Sequence, residues 1–202
     1  LPLYTLVRFG RWREIIEETL PPDVSEPYPL AIWHYARGTA FARTGRIADA
    51  RRELVAVERL ASDPALESVR IKNINPARAL VRIAALTLAA DIALAEGRAG
   101  DAIAPLREAT ATEDALAYDE PHLWLAPTRH ALGAALLVAG QPAEAERIYR
   151  EDLRHYPENG WSLVGLADAQ RRQGHADAAL ATEARFRVAW RDADVTLAAS
   201  RF

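Results

Sequence analysis

No stretch of the chain alternates polar and apolar residues over five or more positions between turn signals, so the pattern predicts helices and no strands. The helical pattern is clearest over Arg129–Pro157, RHALGAALLVAGQPAEAERIYREDLRHYP. There Leu132-Gly133, Gly140, Ala145, Tyr149, Leu153 and Pro157 mark two antiparallel helices joined at Gly140. The unit recurs 34 residues on, with Leu166, Ala167, Gly174 and Ala179 standing for Leu132, Gly133, Gly140 and Ala145. Small residues at Gly133, Ala145, Ala167 and Ala179 predict close helix approach. The glycine between the helices supplies the positive φ that ends a helix, and the proline after the second helix stops it.

Upstream the signature returns with looser spacing. Gly97 with Ala102, preceded by Ala90 and Ala93, marks one pair, and Gly45 with Ala50, preceded by Gly38 and Phe41, marks another. Gly10, followed by Arg11, Trp12 and Ile15, reads as the turn and second helix of a pair whose first helix is cut short at Leu1. Turn glycines at 10, 45, 97, 140 and 174 therefore predict a single array over 1–202. It consists of a partial unit (1–20), full units at about 30–60, 76–111, 126–157 and 160–192, and a tail, 193–202. Insertions of about 18 and about 9 residues accommodate the wider gaps. In the first, Asn75-Pro76 reads as N-cap and first-turn proline of a helix over Pro76–Glu96, ~31 Å long. The second, TEDALAYDEPHLWLAP, carries Pro121 and Pro127, which break helical pattern. Pro21 through Pro29 forms a long loop, the weakest candidate for a domain boundary. The tail should cover the open end of the last pair through Val195, Leu197 or Phe202.

Composition narrows the function. The 202 residues are 50% hydrophobic and 26% charged, enough to bury a core. Charge-free runs such as Ile83–Ala90 and Ala131–Gly140 are too short for a membrane span. The net charge of −3 gives no global attraction to nucleic acid or anionic lipid. Lys72 is the sole lysine beside a large excess of arginine, a balance that coding bias explains before function does. There are no cysteines, hence no thiolate nucleophile or zinc–thiolate site. There is no methionine either, and the chain opens Leu1-Pro2-Leu3-Tyr4, which predicts a piece of a longer protein or a processed product.

The offsets of Gly133, Gly140, Ala145, Tyr149 and Pro157 resemble the tetratricopeptide repeat (TPR) consensus, and the resemblance runs from Leu3 to Trp190. It implies an all-α, right-handed superhelical solenoid of antiparallel helix pairs. More narrowly, YDEPHLWLAPTRHALGAALL, YREDLRHYPENGWSLVGLADAQRRQG and ADVTLAASRF resemble the C-terminal part of large bacterial multi-TPR proteins, many of them exported. That likeness carries no activity with it, implies further TPR-like helices N-terminal to this segment, and leaves cytoplasm and periplasm both open.

In such arrays the first helix of each pair lines a concave groove. The family's groove places imply Tyr35, Thr39, Arg43, Asp91, His130, Trp161, Asp168, Arg171 and Arg172 as partner-binding residues. Tyr, Trp and Arg are the types that dominate recognition hot spots, although the same positions read equally as solvated helix faces. The carboxylate clamp of chaperone-tail binders needs Lys or Arg at the fifth place and Asn at the ninth. Here those places hold Tyr35, Thr87, His130 and Val164, and Thr39, Asp91, Ala134 and Asp168, so an EEVD-type ligand is not expected. The second insertion adds Tyr118, Glu120, His122, Trp124 and Arg129. Either Tyr118 and Trp124 fold over the groove with Asp119 and Glu120 offering carboxylates, or Trp124 and Leu125 fill a wedge while Glu120 pairs with Arg129.

No helical zinc pair, nucleophile elbow, P-loop or GxGxxG is present, so no catalytic residue, metal ligand or cofactor is assigned. His122 and His130 are the one near pair of histidines. The expected function is a non-enzymatic scaffold that binds a protein or peptide, or the rest of its own chain, in the groove. The alternatives are the wall of a ligand or metal site in a larger exported protein, and self-association.

Overall fold

The computed structural model describes residues 2–20 and 22–201. Leu1, where the first helix is expected to be cut short, Pro21 of the proline-rich loop, and Phe202, an expected tail anchor, lie outside them. The fold is all-α. Ten α-helices are described: α1 (Pro2–Arg8), α2 (Trp12–Glu17), α3 (Pro27–Arg43), α4 (Ile47–Ala61), α5 (Ala77–Ala95), α6 (Ala99–Asp114), α7 (Thr128–Val138), α8 (Pro142–His155), α9 (Gly160–Arg172) and α10 (Ala176–Ala189).

The glycines that punctuate the sequence end the first helix of each pair. Gly10, Gly45, Gly97, Gly140 and Gly174 all have φ between 64° and 80°. The left-handed residue turns the carbonyl ladder off and lets the next amide reach back, as in the bond from the Gln141 amide to the Leu136 carbonyl, 2.8 Å. An L side chain at that φ would be strained.

The chain divides into two compact units, Leu1–Ala126 and Pro127–Phe202. The division falls at the end of the second insertion, not in the proline-rich loop. In the first unit α3/α4 and α5/α6 form the full pairs, α5 packs on both α3 and α4, and α1/α2 lean on α3. Its core is aliphatic: Ile15, Leu66, Leu80, Val81, Ile83 and Leu88 are all fully buried. In the second unit α7/α8 and α9/α10 pair, α8 packs on α9, and α7 lies beside α9.

The first insertion departs from expectation in two ways. It contains a short antiparallel hairpin, β1 (Arg70–Ile71) and β2 (Asn75–Pro76), turned through Lys72 and Asn73 at φ 51° and 63°. Two residues per strand are too few to show as alternation. Asn75 also does not cap α5, because Pro76 occupies the N-cap. The Asn75 amide instead makes a two-point clamp, Nδ2 donating to the Ala117 carbonyl and Oδ1 accepting from the Ala117 amide, both at 2.8 Å.

Candidate functional site

In the second unit, Tyr149 of α8 lies in the gap between α7 and α9. A Cβ at Gly133 (α7) or Gly165 (α9) would stand 2.3 or 2.2 Å from Tyr149 Cζ, so each glycine leaves the ring its space. The ring carries its hydroxyl through the α7/α9 layer, where it meets Ser200 of the tail at 2.7 Å. Ser200 Oγ in turn donates to the His130 carbonyl at 3.0 Å, so the proton order is Tyr149 to Ser200 to His130. Burial pushes the Tyr149 hydroxyl well above its ordinary pKa, so it remains a donor.

The tail reaches that point from Trp190, at the end of α10. Its ring fills the space beside Gly160 and stands edge-on to Trp161, centroids 4.7 Å apart. Trp190 Nε1 donates to the Val195 carbonyl at 2.5 Å, Leu197 is buried, and Ser200 is 1% exposed. Residues 195–200 thus run from the end of α10 back to α8 and α7.

Beneath them sits a buried polar cluster. His130 Nε2 and Asp152 Oδ2 are 3.0 Å apart, and Ser162 Oγ donates to the same oxygen at 2.6 Å. Burial raises the Asp152 pKa, but hydrogen bonds from His130 and Ser162 and the charge of Arg129 outweigh that and hold it below the usual carboxylate value. A nucleophilic triad needs the imidazole between hydroxyl and carboxylate. Here hydroxyl and imidazole both end on the carboxylate, and the cluster ties α7, α8 and α9 together.

In the first unit the second insertion folds onto the first helices. Trp124, 2% exposed, stacks at a tilt on Tyr35 of α3 (5.1 Å) and edge-on to Tyr4 of α1 (5.3 Å). Lys72 fastens the insertion to the β1–β2 turn. Its ammonium meets Asp119 Oδ2 and the Glu120 carbonyl, each at 2.9 Å. Beside this lock an open apolar cleft of about 520 Å³ is lined by Leu3, Val24, Tyr28, Ile32, Trp33 and Leu123, with Lys72 on its wall.

The expected groove residues therefore divide into a buried set, an exposed set, and half-buried Trp161 and Asp168. Tyr35, Thr39, Asp91 and His130 are buried. Tyr35 lies under Trp124 and His130 is committed to Asp152, and the expectation that these four present exposed side chains is corrected by their burial. Arg43, Arg171 and Arg172 remain exposed, Arg43 near the Trp12 ring (6.0 Å) and Arg171 paired with Glu183. Arg172 pairs with Asp168 and donates to the Leu137 carbonyl at the end of α7 at 2.9 Å, beside the Gly140 amide that the same carbonyl accepts. Trp161 is half-buried against Trp190. In the insertion, exposed Tyr118 donates to Glu120 and stands edge-on to His122 (5.8 Å), while Trp124 and Arg129 are buried in separate units. Ser200, Ser162 and Asp152 were not singled out by sequence. Their partners lie 10 to 70 residues away, and no local motif marks them. Among the described residues no group of three or more His, Asp or Glu is placed to hold a metal ion, and no helix is long and apolar enough to cross a membrane.

The tetratricopeptide repeat model matches residues 33–56, 126–151 and 160–182. No curated protein matches the sequence. Among solved structures, the nearly identical TPR-like repeats of a Podosopora anserina protein described as a kinesin light chain superpose with a TM-score of 0.57 at 18% identity, covering 96% of this chain and 94% of that one. MamA, as MamA MSR-1 C2, superposes with a TM-score of 0.52 at 17% identity, covering 93% and 92%. At such identities the likeness is one of fold. Helix pairs turned at positive-φ glycines, with the repeat model on three segments, mark those segments as tetratricopeptide-type repeats, and such repeats generally mediate protein–protein interactions.

Proposed function

We propose that the chain is a non-catalytic scaffold that binds a protein segment on the first helices of its repeats, with the cleft of the first unit receiving an apolar anchor side chain. The observation that carries this reading is where the irregular segments lie. In each unit a side chain from non-repeat chain is buried against a first helix, Trp124 on Tyr35 of α3 in one and Ser200 at the His130 carbonyl of α7 in the other. These faces accept irregular, non-repeat polypeptide, and beside Trp124 the cleft stays open. An aromatic or aliphatic side chain of a partner fits its walls of Leu3, Val24, Tyr28, Ile32, Trp33 and Leu123. Exposed Arg43 and Arg171 supply charge-assisted contacts elsewhere on the first helices of their own units.

The test is selection of displayed short peptides on the immobilised full chain. Enriched peptides share an apolar anchor, and Val24→Glu, which places a charge on the half-buried cleft wall, weakens their binding tenfold or more. Enrichment that Val24→Glu leaves unchanged contradicts the assignment.

A further inference from the structure

We infer that the α7/α9 face of the second unit is a recognition site for a short, bent segment with an aliphatic residue three positions before a serine or threonine, and that the chain's own tail is its resident competitor. This deepens the proposed function and rests on it. The tail itself displays what the site accepts. Leu197 is buried, the Ser200 hydroxyl both accepts from Tyr149 and donates to the His130 carbonyl, and the intervening Ala198 and Ala199 stay exposed. A buried leucine, a neutral hydroxyl relay and exposed spacers together define a pattern, Leu-x-x-Ser. The relay needs a hydroxyl because Tyr149 has a proton to give and the His130 carbonyl can only accept. An alanine at that place would leave the buried Tyr149 hydroxyl unpaired.

The tail does not continue the repeat pattern of helix pairing. It leaves α10 through exposed residues 191–194, is caught at Val195 by Trp190, and reaches Tyr149 of α8 and His130 of α7 through Ser200. Exposed residues before a few-point attachment are the build of a segment that can lift off as a piece. Because the tail is tethered, its effective concentration is about millimolar, so a partner of the same pattern must outcompete it or bind when it is released.

The experiment uses a fluorescent peptide of residues 193–201 and the full chain, read by anisotropy. Leu197→Ala and Ser200→Ala weaken the tail in cis and leave the face intact. Each variant takes up the peptide at least tenfold more tightly than the unaltered chain, and a peptide with Asp for the leucine does not bind. Variants that keep their helical signal yet take up no peptide, or that bind it no better than the unaltered chain, overturn the inference. If a variant does not fold, the unaltered chain carrying a protease site between Asp192 and Ala193 decides the matter. After cleavage the labelled peptide exchanges into the face, and failure to exchange overturns the proposal. Selected peptides that remain sensitive to Val24→Glu under either failure would leave the scaffold reading standing.

Discussion

The Tyr149 ring fills the place a side chain on Gly133 would need: a Cβ there would lie 2.3 Å from Cζ. The neighbour is a ring locked between two helices, so it cannot swing away. Gly133→Ala should cost about 1–3 kcal/mol through overpacking and lower the Tm by several degrees. Tyr149→Leu frees the space, so the double variant should be less destabilised than the sum of the singles by about 0.5 kcal/mol or more. Additive losses in thermal unfolding would show that the two residues do not compete for one volume.

Trp124 is the strongest single fastener of the second insertion. Trp124→Ala removes a 2%-exposed ring from Tyr4 and Tyr35 and should cost about 3–5 kcal/mol. Tyr118→Ala, six residues earlier and exposed, should stay within about 0.5 kcal/mol. Chemical denaturation of both variants checks the contrast.

The hairpin and the insertion are held by two residues of unequal worth, Asn75 and Lys72. Asn75→Ala leaves the Ala117 amide and carbonyl without their partner and should cost about 1–3 kcal/mol. Lys72→Met removes an exposed ammonium and should cost at most about 1 kcal/mol. Limited proteolysis should cut residues 115–123 faster in the Asn75 variant and only slightly faster in the Lys72 variant.

The repeat architecture was legible in the sequence because it is local. A turn glycine, a small residue five positions later and a proline beyond are all set by one helix pair, and the turns stand at the five expected glycines. The groove was less legible. Tyr35 and His130 occupy first-helix places, but what covers them comes from far along the chain, Trp124 over the first and Ser200 at the carbonyl of the second. Repeat register does not encode such contacts. The same holds for Asn75, whose position before a proline suggests a cap while its real partner stands 42 residues away.

Acid should loosen the second unit through Asp152. Its folded pKa is depressed, so the stabilisation is complete above the ordinary carboxylate value of about 3.9 and is lost as pH falls through the lower folded value. Asp152→Asn should remove that share of the pH dependence and cost about 1–3 kcal/mol at neutral pH by weakening the His130 and Ser162 bonds. Tm measured from pH 7 to pH 2.5 on both proteins gives the comparison; parallel curves would contradict it.

Amide hydrogen exchange of the full chain, with and without a selected peptide at saturation, tests binding on the first helices most directly. The account predicts added protection around the cleft, in Leu3–Tyr4, residues 18–33 and Ile71–Lys72, with the second helices α4 and α6 unchanged. Protection confined to α4 and α6 would contradict it.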